Sequence, residues 1–258
     1  MCLISFAIDS HPRYSLVLVA NRDEYRNRQT TPAGYWKDAP HVLAGRDRQA
    51  GGTWIGVTTG GKLAAVTNYR DSKQYLIDPP SRGSLVADYL RDDTTTTADM
   101  RAHLMKSGNL YDGFNLLYGT CNELYYFTNR GGSYGPVKPG IHALSNHLLD
   151  TNWPKVVIAK ERLTHIIQQA EPAAEELLLA LADPDPFAHE LLPDTGIGPE
   201  RERLLSPLFI NGDNYGTRST TVILADRASK VTFMEQGHDT PQLPLLSFTF
   251  HLSPESCR

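Results

Sequence analysis

The alternation of strand and helix segments is the feature that most constrains the fold. Apolar, β-branched runs alternate with amphipathic segments in the order strands, helices, strands, helices, strands. Predicted strands cover residues 3–8, 14–20, 53–57, 63–67, 114–118, 124–128, 220–225, 230–235 and 245–251; predicted helices cover residues 84–90, 98–106, 154–170 and 173–181. Residues 58–61, with two adjacent glycines, are typical of a hairpin turn. The order predicts an α+β protein of helix-covered antiparallel sheets, in one domain of residues 1–258.

Composition argues against several classes of function. The 258 residues are 40% hydrophobic and carry a net charge of −4, which disfavours nucleic acid as a partner. No apolar run approaches the roughly 20 residues of a transmembrane segment. The first strand is preceded by no basic region and is followed by Asp9, His11 and Arg13, unlike a signal peptide. The sequence therefore predicts a cytoplasmic protein.

Metal ligands are not indicated. Cys2, Cys121 and Cys257 are far apart, and the nine histidines form no His-x-x-x-His pair. Cys121 is expected to be a small buried residue and Cys257 a tail residue. We therefore expect no metal site and no required cofactor.

Cys2 is notable for its position. If Met1 is removed, Cys2 carries both a thiol and a free α-amine, whose pKa is roughly 8. One residue would then supply nucleophile and base, as in enzymes with an N-terminal threonine. The alternative is that a cysteine merely happens to occupy position 2.

Four polar residues, 21–24, follow the second predicted strand. They could form a solvated turn, but a strand end is also a rigid place for functional groups. Asp23 could orient an amine or thiol, and Arg22 could pair with Glu24 or receive an acidic substrate.

Three later polar residues have similar alternatives. Asn68 ends a predicted strand and could donate to an oxyanion or start a turn, and Asn146 has the same two interpretations. Arg218 could form a surface ion pair or clamp an anionic group.

Eight motifs together resemble the NRDE family, the family of transport and Golgi organization protein 2. They are residues 1–4 (MCLI), 20–24 (ANRDE), 51–54 (GGTW), 63–69 (LAAVTNY), 113–116 (GFNL), 144–146 (LSN), 153–155 (WPK) and 215–218 (YGTR). The match extends to about residue 235, with the motifs in family order.

The resemblance implies a four-layer αββα sandwich of the N-terminal nucleophile hydrolase type. By similarity to bile-salt hydrolases and penicillin V acylases, it makes Cys2 the nucleophile and Asp23 the residue that orients its amine. Asn68 and Asn146 become oxyanion or positioning donors, and Arg218 the late arginine. The predicted substrate-binding residues are Arg22, Glu24 and Tyr69.

One position departs from the acylase pattern. Ala20 stands where those acylases carry an arginine, and Arg22 lies two residues further on. Because alternate residues of a strand share a face, Arg22 is expected on the same side as Ala20.

Two functions are consistent with the resemblance. One is hydrolysis of an amide or thioester acyl bond through Cys2. The other is a carrier that takes haem, for haem trafficking, or an acyl-coenzyme A or lipid in the same cleft, without hydrolysis. In both, the partner is a small-molecule or acyl ligand.

Overall fold

A computed structural model describes residues 2–71, 76–132, 134–238 and 243–252; Met1 and Cys257 lie outside them. The strands are β1 (Cys2–Ile8), β2 (Tyr14–Tyr25), β3 (Thr30–Tyr35), β4 (Val42–Asp47), β5 (Ile55–Thr58), β6 (Lys62–Asn68), β7 (Phe114–Thr120), β8 (Leu124–Thr128), β9 (Gly135–Pro136), β10 (Gly140–Leu144), β11 (Tyr215–Asp226), β12 (Lys230–Gly237) and β13 (Leu246–His251). The α-helices are α1 (Arg82–Arg91), α2 (Thr97–Ser107), α3 (Pro154–Ile167), α4 (Ala174–Leu179) and α5 (Pro199–Leu204).

The strands form two antiparallel sheets. The first sheet has the order β10-β1-β2-β11-β12-β13, and the second has the order β3-β4-β5-β6-β7-β8-β9. The hairpin predicted around residues 58–61 is confirmed, since β5 pairs with β6 in antiparallel register. The first strand of the chain therefore lies inside a sheet, between β10 and β2.

Three apolar clusters separate four layers. One lies between the sheets and includes Ile4, Leu18, Leu63 and Phe233. A second lies between the first sheet and α3 and α4, and a third between the second sheet and α1 and α2. The α+β fold and its αββα layering, expected from the resemblance, are confirmed.

The sequence missed some strands and shortened others. Residues 30–35 and 42–47 were not predicted as strands, because β3 contains Pro32 and Gly34 and most of its residues are at least partly exposed. β2 extends to Tyr25, so residues 21–24 belong to the strand and do not form a turn. Their pairing with β11 outweighs their low intrinsic strand preference.

Among the described residues, no helix has both the length and the apolar character needed to cross a membrane.

Replacement of Leu163 by Ala should destabilise the protein. Leu163 is fully buried between α3 and the first sheet, so the change leaves a cavity and should cost about 2–5 kcal/mol of unfolding free energy. Leu179→Ala in α4, where the leucine is 67% exposed, is the matched control and should change little. Urea unfolding followed by circular dichroism measures both; equal losses would contradict the assigned layering.

Candidate functional site

A cavity of about 850 Å³ opens where β1 begins and β6 ends, with walls from both sheets. This volume is typical of small-molecule sites. Trp54, Val66, Leu243 and Leu246 give it apolar walls. Of the eight predicted site residues, the structure brings six together here: Cys2, Arg22, Asp23, Glu24, Asn68 and Arg218.

Cys2 and Arg22 are direct cross-strand partners in the register of β1 and β2. Two residues along β2, Ala20 faces the apolar cluster between the sheets, so Arg22 lies on the same face, as expected. Both Cys2 and Arg22 are buried. Burial raises the pKa of the Cys2 thiol, while the positive charge of Arg22 acts in the opposite direction. The resting thiol is therefore neutral and adjacent to a cation.

Asp23 belongs to the opposite face of β2, towards the helix layer. It is buried, and Thr217 Oγ1 donates to its Oδ1 at 2.7 Å while the Tyr215 hydroxyl donates to its backbone oxygen at 2.9 Å. Burial raises the pKa of Asp23, and the charge of Lys155 lowers it. The carboxyl group is thus held rigidly beside the start of β1, although its role towards the Cys2 amine stays a prediction.

Lys155 gained no role from sequence reasoning, although it lies in one of the family motifs. It occupies the first turn of α3, is buried, and donates from Nζ to the Leu205 oxygen at 2.8 Å. Burial lowers its pKa to about 8, while the nearby charge of Asp23 raises it. The sequence signals that could have pointed to it were its place in the motif at residues 153–155 and its position next to the apolar face of an amphipathic helix.

Asn68 and Asn146 have different environments. Asn68 ends β6 and lines the cavity, and its side-chain amide forms no hydrogen bond with any residue that the structure describes. Asn146 is fully buried, and its Nδ2 donates to the Asn68 backbone oxygen at 3.0 Å. Ser145 Oγ donates to the Cys2 oxygen at 3.3 Å. The Asn68 side-chain amide is therefore available as a hydrogen-bond donor, whereas Asn146 holds the backbone of Asn68 in place.

Tyr69 lies apart from the described lining of the cavity. Its ring contacts the His147 ring at a centroid distance of 4.9 Å, and its backbone nitrogen donates to the Gly113 oxygen at 2.8 Å. Its assignment to substrate binding stays a prediction.

Arg218 lies at a bulge in β11, where the register shifts between Thr217 and Ser219. Its Nη1 donates to the backbone oxygens of Tyr25 and Arg28, at 2.8 Å and 3.0 Å. The bulge directs the guanidinium towards the cavity wall, where its hydrogen bonds hold the segment after β2 in place.

Glu24 borders Arg22 and Arg28. The shortest nitrogen–oxygen distances from its carboxylate are 3.9 Å to Arg22 and 3.6 Å to Arg28. Arg28 also donates to Asp47 at 2.6 Å. The charges of these arginines and carboxylates compensate one another at the end of β2.

Sequence reasoning missed Arg82 and Glu235. Arg82 begins α1, and Glu235 in β12 accepts from the Ala33 nitrogen in the other sheet at 2.7 Å. Burial raises the pKa of Glu235. Neither residue lies in a motif, and only the packing of the tertiary structure brings both residues to the cavity.

A haem ligand would find few donors here. The described lining contains neither histidine nor methionine, and Cys2 supplies its only sulfur. Within the described part of the chain, no cluster of three or more His, Cys, Asp or Glu is arranged to hold a metal ion. Iron ligation in this cavity would therefore depend on Cys2 or on an oxygen donor.

Comparison with known proteins gives the family. The family model described as "Transport and Golgi organisation 2" matches residues 1–240. The chain belongs to this family. The transport and Golgi organization 2 homologs of Mus musculus and Homo sapiens are each 34% identical to it, over 92% of this chain and 93% of theirs. Transport and Golgi organization protein 2 of Drosophila melanogaster is 28% identical, over 92% of both chains.

Two solved structures have similar folds. An N-acylethanolamine-hydrolyzing acid amidase ortholog from Caenorhabditis elegans aligns over 86% of this family member and 92% of its own chain, with 11% identity and a TM-score of 0.48. A conjugated bile acid hydrolase from Clostridium perfringens aligns over 98% and 97%, with 10% identity and a TM-score of 0.45. Both TM-scores are below 0.5, so neither likeness bears on the chemistry of this chain.

The Cys2 thiol should titrate above the ordinary cysteine pKa of about 8.5, because burial disfavours the thiolate. Its alkylation by iodoacetamide should be slower than that of free cysteine at pH 8 and should accelerate as the pH rises. Arg22→Gln should raise the pKa further, since a compensating cation is lost. Peptide mass spectrometry from pH 7 to pH 10 measures the rate at Cys2; an apparent pKa below 8.5 would contradict the buried neutral thiol.

Proposed function

We propose that the protein hydrolyses an amide or thioester acyl bond with Cys2 as an N-terminal nucleophile, in the cytoplasm. The observation that carries this proposal is the place of Cys2 at the start of a buried interior strand, on the wall of a ligand-sized cavity. A nucleophile needs a rigid support, a route for its proton and a donor for the developing oxyanion. Each of these three requirements has a candidate group beside Cys2.

In the proposed reaction, removal of Met1 exposes the α-amine of Cys2. The sulfur attacks the acyl carbonyl carbon and the thiol proton passes to the amine, which Asp23 orients. The carbonyl oxygen becomes an oxyanion that accepts a hydrogen bond from the Asn68 amide. The intermediate then collapses to an acyl thioester as the leaving amine or thiol takes the proton.

Water completes the cycle. The Cys2 amine takes a proton from the water, whose oxygen attacks the thioester carbonyl, and the released thiol regains a proton. Asn146 keeps Asn68 in place through its 3.0 Å hydrogen bond, and Arg22 lies where an acidic part of the substrate passes. The apolar walls at Trp54 and Leu246 are suited to an acyl chain.

Replacement of Cys2 by Ala should abolish hydrolysis, because it removes the attacking sulfur. Intact mass of untagged protein, before and after a thiol-directed acylating probe, establishes whether Met1 is gone and whether a single label is on Cys2. A screen of amide and thioester substrates then follows. Cys121→Ala is the matched control: Cys121 is buried between the sheets and its loss should leave turnover unchanged.

Retention of Met1 would contradict the N-terminal mechanism, since the free amine would not exist. Turnover by Cys2→Ala at the wild-type rate would exclude Cys2 as the nucleophile.

The second candidate is a carrier that binds an acyl-coenzyme A, another lipid or haem in the cavity without hydrolysis. The lining holds five arginines and five carboxylate residues, so its formal charges balance. Arg22 and Arg82 have no carboxylate oxygen closer than 3.9 Å among the described residues, and these two arginines favour a ligand with an anionic group. A carrier should bind its ligand as tightly in the Cys2→Ala variant as in the wild-type protein. The exception is haem held by the Cys2 sulfur, whose binding the variant would weaken. Titration of acyl-coenzyme A, and a haem Soret band that survives gel filtration, are the measurements that favour this alternative.

A further inference from the structure

The first turn of α1 opens onto the cavity. Ser81, Arg82 and Gly83 all line it. Ser81 is the N-cap residue, but its side chain makes no capping hydrogen bond, and the first turn contains no acidic residue. The amide of Ser84 donates to the Ser81 oxygen, whereas the amides of Arg82 and Gly83 donate to no residue that the structure describes. A helix end with this pattern offers N–H donors and partial positive charge to an anion.

Arg82 adds a full positive charge at the same place. Its Nη1 donates to the Gly113 oxygen at 3.0 Å, and it forms no ion pair within the described part of the chain. Burial lowers the pKa of Arg82, and the negative charges of Asp112 and Glu24 act in the opposite direction. The guanidinium is therefore partly buried, without a carboxylate in direct contact among the described residues.

Arg22 supplies an independent observation. Only 8% of this residue is exposed, and its Nη1 is buried with no hydrogen-bond partner among the residues that the structure describes. A buried guanidinium N–H without an acceptor costs free energy unless a ligand accepts from it. Its closest carboxylate oxygen among the described residues is that of Glu24, at 3.9 Å.

The acidic groups nearby have partners of their own. Glu235, whose charge interacts with that of Arg22, accepts from the Ala33 nitrogen at 2.7 Å. Glu24 also accepts from the Tyr25 nitrogen at 2.8 Å, and Asp47 is paired with Arg28. Asp112 accepts from the Leu76 nitrogen at 3.0 Å. These contacts leave Arg22 and Arg82 as donors that face the cavity.

We infer that the first turn of α1, Arg82 and Arg22 form an anion-binding subsite, and that the ligand of this cavity carries a carboxylate or a phosphate beside its acyl chain. The inference uses the cavity of the proposed function but does not require hydrolysis. The anion would accept from the amides of Arg82 and Gly83 and from both guanidinium groups. Charge-assisted hydrogen bonds of this kind are stronger than neutral ones, which gives the subsite selectivity.

Three short probes, each with an eight-carbon chain, test the subsite. They are octyl phosphate, N-octanoylglycine and the uncharged N-octanoylglycinamide, titrated by calorimetry into the Cys2→Ala protein at low salt. At least one charged probe should bind about tenfold more tightly than the uncharged amide. The tighter of the two distinguishes a phosphate from a carboxylate ligand. Because the protein lacks the Cys2 sulfur, the result is independent of whether the chain is a hydrolase.

Variants locate the subsite. Arg82→Gln should remove most of the preference for charged probes. Ser81→Asp should remove it as well, because the new carboxylate caps α1 and occupies the place of the anion, and it should raise the melting temperature. A gain in stability with a loss of anion binding separates this effect from misfolding. Arg48→Gln, at an exposed arginine with no role in the cavity, is the charge-matched control and should retain the preference.

Equal affinity for the charged and uncharged probes would overturn the inference. If Ser81→Asp kept the full preference for charged probes, α1 would be excluded from the subsite. If Arg48→Gln lost as much of the preference as Arg82→Gln, the effect would come from the overall charge of the protein and not from a subsite. Absence of Cys2-dependent turnover would contradict the proposed function and leave the subsite intact.

Discussion

The antiparallel pairing of β1 with β2 is the interaction on which the site depends. It buries the first strand of the chain inside a sheet, next to the edge strand β10, and aligns Cys2 with Arg22. The same register places Ala20 against Ile4, so that the two strands are fixed by the core between the sheets. A shift of one residue would turn Cys2 and Arg22 to opposite faces, because side chains alternate along a strand. The chemistry of the cavity and the packing of the core are therefore set by one register.

Charge burial is the second organising constraint. Asp23 and Lys155 interact behind the start of β1, and Arg70 and Glu202 form a buried ion pair at 2.5 Å. Isolated buried charges are costly, whereas paired ones hold a definite geometry. These residues connect β2, α3 and α5 with the segment after β6. The helix layer thus supports the site from behind, while Arg22 and Arg82 line the cavity in front.

Much of the fold followed from apolar periodicity. The central strands and α3 were predicted because most of their residues are buried and their patterns are undisturbed. β3 and β4 were not predicted because they contain proline, glycine and polar residues that disfavour strands. Their pairing in the sheet, which the sequence does not reveal, compensates for these residues. Residues 21–24 were assigned to a strand end for the same reason: polar residues in a buried strand are stabilised by partners that only the fold supplies, such as Thr217 for Asp23.

The sequence by itself determined the order of strands and helices and, through its motifs, the family and the layering that the family implies. It also placed Cys2 directly before the first predicted strand, because all of these depend on local patterns and motifs. Only the tertiary structure decided which residues share the cavity. It placed Asn68 on the wall and Asn146 behind it, and it added Arg82 and Glu235, which no motif marks. The physical reason is that a site between two sheets is built from residues far apart in the chain, whose distances depend on register and packing.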